Sequence, residues 1–272
     1  MRWQLTRAYA RAYGAVKDAT GVNLRGLGWM LRHVGREQEF ELADQRMLFD
    51  PAVAGCYDRL ITGQFNERET YQFIVRAIAL TTAPVTFVEV GANVGEFLIP
   101  LAAQPKVQRA IGYEPHPVCA AVCKRSALMN GLSNVEVRPH LVGDGMLQPF
   151  HIDTVNPNAS AIDPNGELIP TVRLDDELRD ISAPLIMLID VEGAEPLVLD
   201  GARETTTRTA PLIVFEYNYI SRRHYSVAKV QGMLGTRYRI YRLRRDGSLD
   251  HKVEKSWNCV AIPQNSEFAA LA

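Results

Sequence analysis

The stretch "VTFVEVGANVGEF", residues 85 to 97, decides the fold of this 272-residue chain. Branched and aromatic residues run unbroken to Gly91, the pattern of a strand covered on both faces. Gly91 and Gly95 then allow a tight strand-to-helix turn with close backbone approach. Asn93 between them is the non-glycine residue that best tolerates a left-handed conformation. The helix that follows presents free N–H groups to a ligand. The spacing is G-x-x-x-G, and the dinucleotide fingerprint G-x-G-x-x-G is absent, which argues against a NAD or FAD enzyme.

The rhythm set at residue 85 repeats downstream: strand "RAIGYEP" (109–115), a helix from Val118 to Met129, and strand "NVEVRPHLV" (134–142). A turn-rich insertion over 143–169, with "PFHID" as an extra strand, precedes "TVRLDDEL" and its short helix. Strand "LIMLID", a helix from Pro196 and strand "LIVFEYN" (212–218) follow. "RYRIYRL" (237–243) and "SWNCVAIP" (256–263) form a closing antiparallel pair around the turn "RDGSLD". Strands alternating with helices predict an α/β fold: a mostly parallel, seven-stranded sheet with helices on both faces. Upstream, residues 1–80 read as an N-terminal helical extension to a domain over 81–272. Within it, "NERETYQFIVRAIAL" predicts a helix opened by Asn66 as N-cap and Glu69 as its capping-box partner.

In an open parallel sheet the ligand crevice lies beyond the carboxyl ends of the strands. The second strand ends at Glu114, 19 residues after Gly95. A carboxylate there can accept both hydroxyls of a ribose, as the acid about 20 residues past the glycines does in dinucleotide folds. A nucleoside without a pyrophosphate satisfies both observations. S-adenosylmethionine is such a ligand, and Glu89 is placed to hold its amino-acid end indirectly.

The fourth strand runs into three acids in "LIMLIDVEGAEP" (185–196). Asp190 and Glu192 are two apart and point the same way if the strand persists, and Gly193 lets the chain bend. Glu195 falls in a first helical turn, where an acid complements the helix dipole by ~0.5 kcal/mol, and Pro196 suits the N1 position. Methyl transfer from a sulfonium needs an aligned nucleophile and, for a hydroxyl, somewhere for its proton to go. Asp190 and Glu192 are therefore the candidate positioning and proton-accepting pair, supported by Glu216 at the next strand end. Asp190, Glu216 and Asn218 also form a candidate set of oxygen ligands for Mg2+. His116 and His224 are reserve bases.

"FVEVGANVGEF", "YEPHP", "TVRLDDEL" and "LIDVEGAEPLVLDGA" stand in the order seen in FkbM-type S-adenosylmethionine-dependent methyltransferases, and "NERETYQFI" resembles that family's lead-in. The resemblance spans roughly residues 64 to 218. It implies a class I, Rossmann-like methyltransferase that O-methylates a hydroxyl of a sugar, glycosylated molecule or other secondary metabolite. It also implies Gly91, Asn93 and Gly95 as the cofactor loop, Glu114 as ribose ligand, and His140 and Leu141 as adenine neighbours. Glu89 stands where the family often has Asp, and Leu188 where it often has Lys.

Composition narrows the alternatives. Net charge is −1, so the chain lacks the basic bias of a protein whose main business is nucleic acid. Locally, Arg222 to Arg245 holds eight Arg or Lys and no acid, which keeps an RNA or protein methyltransferase as the runner-up. A module that binds an adenosine ligand without turnover is the non-enzymatic alternative. Seven Arg or Lys in residues 1–36 share a helical pattern with Leu5, Ala8, Tyr9, Ala12, Tyr13 and Val16, which describes a helix packed on the domain or resting on an anionic membrane. No apolar stretch predicts a membrane span. Cys56, Cys119, Cys123 and Cys259 lack disulfide or zinc spacing and suit a reducing cytoplasm.

Overall fold

The computed structural model describes residues 2–20, 26–153, 157–182, 184–253 and 256–272. At its centre are eight strands, labelled in chain order: β1 Val85–Val90, β2 Val107–Tyr113, β3 Val135–Arg138, β4 Leu185–Ile189, β5 Leu212–Glu216, β6 Tyr238–Leu243, β7 Leu249–Asp250 and β8 Asn258–Pro263. They lie in the order β7-β6-β8-β5-β4-β1-β2-β3. The five strands from β5 to β3 are parallel, and β8, β6 and β7 close the sheet antiparallel. Chain direction across the sheet reverses between β4 and β1, which is where a doubly wound sheet opens its crevice.

Alternation along each strand builds two cores. Val85 and Phe87 of β1, with Ile186 and Leu188 of β4, face the helices Arg68–Leu80, Leu98–Ala102 and Pro117–Met129. Val88, Val90, Leu185, Met187 and Ile189 face the helices Glu195–Asp200, Arg203–Thr209 and Val227–Leu234. Each such side chain contributes about 1.5–3 kcal/mol when fully buried, so the five buried residues of β4 hold it in the middle of the sheet.

Four expectations change. The 134–142 stretch is two strands, because Pro139 has no N–H to continue a ladder: β3 stays in the central sheet, while Leu141–Val142 pairs with Glu167–Val172. That pairing belongs to a separate four-stranded sheet with Leu147–His151 and Ala161–Ile162, so the insertion is an ordered roof around one extra strand and more; its residues 154–156 lie outside the described ones. The turn "RDGSLD" contains β7, which raises the sheet from seven strands to eight. The N-terminal extension is not wholly helical either: after helices Arg2–Thr20 and Leu27–Arg32 comes the hairpin Gln38–Leu42/Gln45–Phe49.

The first helix buries Thr6, Ala10 and Tyr13 and leaves Leu5 exposed, a stripe rotated from the expected one. Arg25, and the side chain of Lys17, lie outside the described residues. The Arg68–Leu80 helix lacks the expected capping box, since Asn66 and Glu67 are drawn to partners distant in sequence. No helix of the described residues is long and apolar enough to cross a membrane. All four cysteines are free and buried.

Candidate active site

The glycine loop after β1 is shaped by what crosses behind it. Gly91 sits at φ +88°, and a Cβ on it would lie 1.9 Å from the Asp190 carbonyl oxygen, so the end of β1 and the end of β4 touch only because Gly91 has no side chain. Asn93 adopts φ +48°, as its left-handed tolerance predicts. Gly95, at φ +90°, has a different reason to be glycine: a Cβ there would strike Cys123 Sγ at 2.7 Å and Ile99 at 2.9 Å. It packs the loop on the next helix and does not line the cavity.

The loop is fixed by Glu114. One carboxylate oxygen accepts the Asn93 N–H at 2.7 Å and the other accepts the His116 N–H at 2.7 Å. Burial pushes this carboxyl up to about 7, against the lowering effect of those two bonds. His116 is the N-cap of the Pro117–Met129 helix, where its buried ring accepts the Cys119 N–H. It is therefore a cap, and its reserve role as a base falls away.

A cavity of about 270 Å³ opens above this loop. It brings together Glu89, Gly91, Asn93, Glu114, His140, Leu141, Asp190, Glu192 and Glu216, and leaves outside Gly95, the candidate ligand Asn218 and the reserve bases His116 and His224. Two acids that sequence reasoning missed join them, Glu67 and Glu96. Glu96 takes the backbone N–H and the side-chain amide of Asn66 at 2.6 and 2.8 Å, and its carboxyl is pushed up by burial to about 7. Glu67 accepts from Trp257 Nε1, Asn258 Nδ2 and Thr70 Oγ1. Asn158 of the roof accepts from Asn93 Nδ2 at 2.7 Å and donates to the Gly55 carbonyl, so the insertion, the loop and the N-terminal extension meet over the cavity. No local pattern marks Glu67, Glu96 or Asn158, because each acts through a partner at least 30 positions away.

Asp190, Glu192 and Glu216 form the floor. Each offers an oxygen within 4.8 Å of the others. The strand does not persist to Glu192, contrary to expectation: β4 ends at Ile189, and Glu192 stands at φ +53° followed by Gly193 at φ +100°. A left-handed turn, rather than strand alternation, aims both acids at the cavity. Glu195 holds that turn; it is fully buried, and its Oε1 accepts the Val191 and Gly193 N–H groups at 3.2 and 3.3 Å. With Pro196 in the first turn, it is a structural acid.

Asn218 is not an open ligand. Its Oδ1 accepts the Ile220 and Ser221 N–H groups, and its Nδ2 is committed to Glu216. Glu192 completes the acid trio in its place.

Charge crowding dominates the floor. Burial, then repulsion from Glu216, raises Asp190 far above the usual carboxylate range. Burial, then Glu192 and Glu195, pushes Glu216 up to about 9. Buried oxygens of Glu89, Glu192 and Glu216, and Asn93 Oδ1, lack a hydrogen-bond partner. The cavity is lined by seven carboxylates and no Arg or Lys. Such a wall fits a cationic, hydroxyl-bearing ligand, which supplies both the counter-charge and the missing donors.

An open sheet of this order, with a G-x-x-x-G loop at its switch point, is that of the class I S-adenosylmethionine-dependent methyltransferases. The chain belongs to the FkbM methyltransferase domain family, whose pattern matches residues 89–238, more than half its length. It is similar to the structure of the methyltransferase FkbM from Methylobacillus flagellatus at 20% identity and a TM-score of 0.50, covering 78% of this chain and 52% of that one. A SAM-dependent methyltransferase from Agrobacterium tumefaciens matches at 14% identity over 74% of this chain and 57% of that one, with a TM-score of 0.45. An rRNA methylase from Streptococcus thermophilus matches at 8% identity over 74% of this chain and 99% of that one, with a TM-score of 0.43. The chain thus spans about half the length of the first two structures. None of the curated protein sequences matches it significantly.

Proposed function

We propose that this protein transfers the methyl group of S-adenosylmethionine to a hydroxyl of a small molecule, a sugar or glycosylated metabolite. The observation that carries the reading is the junction of a cavity lined by seven acids and no Arg or Lys, suited to a sulfonium cation, with a floor of acids whose proton affinity is raised. S-adenosylmethionine supplies the electrophilic methyl. Glu114 holds the ribose hydroxyls, and Glu89 faces the ammonium end. Asp190 and Glu192 orient the acceptor hydroxyl; its oxygen bonds to the methyl carbon as the carbon–sulfur bond breaks onto sulfur, and its proton passes to Asp190. The donor's positive charge would offset the crowding and favour the ionised Asp190, whose raised proton affinity then makes it a competent base. Closing the acids away from water strengthens each of these contacts.

The test is a panel of hydroxylated acceptors incubated with S-adenosylmethionine and read by mass spectrometry. The reading predicts a product heavier by one methylene equivalent together with S-adenosylhomocysteine. Donor binding without either, across sugars, RNA and protein acceptors, would establish the binding-only alternative.

One further reading is favoured by the three converging oxygens of Asp190, Glu192 and Glu216, a donor set suited to a magnesium ion. Bound there, the ion would orient the hydroxyl and ease its deprotonation. Undiminished turnover in excess EDTA would remove this reading and leave the carboxylate base.

A further inference from the structure

A second cavity, of about 480 Å³, lies beside the donor pocket. Asn158, Ile162, Glu192 and Ala194 line both, so the two spaces meet at the Glu192 carboxylate. Its outer wall is Gln148 of the roof, His224 and Lys229. Gly193 makes this wall possible: a Cβ on it would lie 2.7 Å from the His224 ring, so only glycine lets that ring pack against the turn.

The charge pattern changes from all-acidic to balanced between the two spaces. The donor pocket has seven carboxylates and no Arg or Lys, whereas the second has one carboxylate, Glu192, and one cation, the exposed Lys229. Lys229 sits in the first turn of the Val227–Leu234 helix, whose N-cap Ser226 accepts its backbone N–H. Its ammonium has no carboxylate partner among the described residues. An apolar acceptor would strand the unpartnered Glu192 carboxylate oxygen, whereas the amides of Asn158 and Gln148 already have partners in Asn93, Gly55 and Asp144. A cationic acceptor would be repelled by Lys229. An anion on the acceptor answers the lysine with a charge-assisted bond, while a hydroxyl answers Glu192.

We propose that this cavity is the acceptor subsite and that its ligand is a hydroxylated molecule bearing a phosphate or carboxylate, the anion on Lys229 and the reacting hydroxyl at Glu192. The assignment rests on the donor reading above and narrows its acceptor class.

The experiment loads the full-length protein with S-adenosylhomocysteine and titrates it with glucose, glucuronate and glucose 6-phosphate by calorimetry. At least one anionic sugar is expected to bind about tenfold more tightly than glucose, and Lys229→Gln is expected to abolish that preference while leaving S-adenosylhomocysteine affinity unchanged. Which anionic arm wins separates carboxylate from phosphate. Equal binding of all three sugars, binding of none, or a preference that survives Lys229→Gln overturns the subsite. Failure of S-adenosylhomocysteine itself to bind overturns the donor reading instead, so the two are told apart.

Discussion

Leu188 and Glu89 are register partners on the adjacent parallel strands β4 and β1, both 2% exposed and both on the sheet face that packs against the helices Arg68–Leu80, Leu98–Ala102 and Pro117–Met129. On the other side of Glu89, β2 presents Gly112. The carboxylate therefore has no charged neighbour to its left or right, and one of its oxygens lacks any partner. Burial, followed by repulsion from Glu96, raises its proton affinity well above the ordinary. Donor affinity is therefore expected to fall as pH drops through the raised range in which Glu89 takes up its proton, because protonation removes the charge proposed to face the ammonium. Leu188→Lys supplies a cation beside Glu89 and lowers its proton affinity, so the loss should begin at lower pH. Calorimetric Kd values across this range decide the matter: superimposable profiles for the two proteins would show that Glu89 is not the group responsible.

The free protein carries a second pH signature, in its stability. Glu96, Glu114 and Glu195 are each raised by burial from an ordinary 4.5 to about 7. A carboxyl with a raised folded-state value binds its proton more tightly folded than unfolded. Its contribution is full below about 4.5 and is lost as pH rises through about 7, worth about 3 kcal/mol for one such group. The melting temperature of the free protein should therefore climb as pH falls from about 8 to about 5. Saturating S-adenosylmethionine, a cation, should flatten that slope. A free protein that melts lower at pH 5 than at pH 8 would contradict the crowded-acid picture.

Glu114 and Asp190 should separate binding from turnover. Glu114→Ala removes the acceptor of the Asn93 and His116 N–H groups along with the predicted ribose contact, and donor binding should vanish in calorimetry. Asp190→Asn keeps shape and removes both charge and basicity. It should bind donor within a few-fold of the parent while turnover falls about 10²–10⁴-fold. Full donor affinity in Glu114→Ala would sink the site assignment, and near-normal turnover in Asp190→Asn would move the base to Glu192 or Glu216.

The parts of this architecture that were legible in the sequence are those decided locally. The run into Gly91, the left-handed Asn93 and the aliphatic β4 are specified by steric rules and burial acting over a few residues, and each lies where the pattern puts it. Glu195 was likewise readable, because a first-turn acid next to proline has a local purpose. Glu192 was assigned to the cavity for the wrong local reason, since a left-handed turn replaced the expected strand. Asn66 shows the limit most directly: its type and spacing fit a capping box, yet Glu96, 30 positions away, offers two hydrogen bonds and wins. Glu67 and Asn158 are polar residues in unremarkable stretches, and only the closing of the extension and the roof over the sheet makes them part of the cavity lining.

Glu67 yields the last prediction, because it ties the N-terminal extension to the chemistry. Its carboxylate is held by Trp257, Asn258 and Thr70, and its charge contributes to raising Asp190, Glu192 and Glu216. Glu67→Gln preserves size and some hydrogen bonding but deletes the charge. Removing a like charge eases ionisation of the remaining acids, so the acid limb of the kcat–pH profile should shift to lower pH. A residue that only braced the helix start would lower the melting temperature and leave the limb in place. Measuring both in the same variant distinguishes the two roles: a displaced limb assigns Glu67 to tuning the base, and an unmoved one confines it to packing.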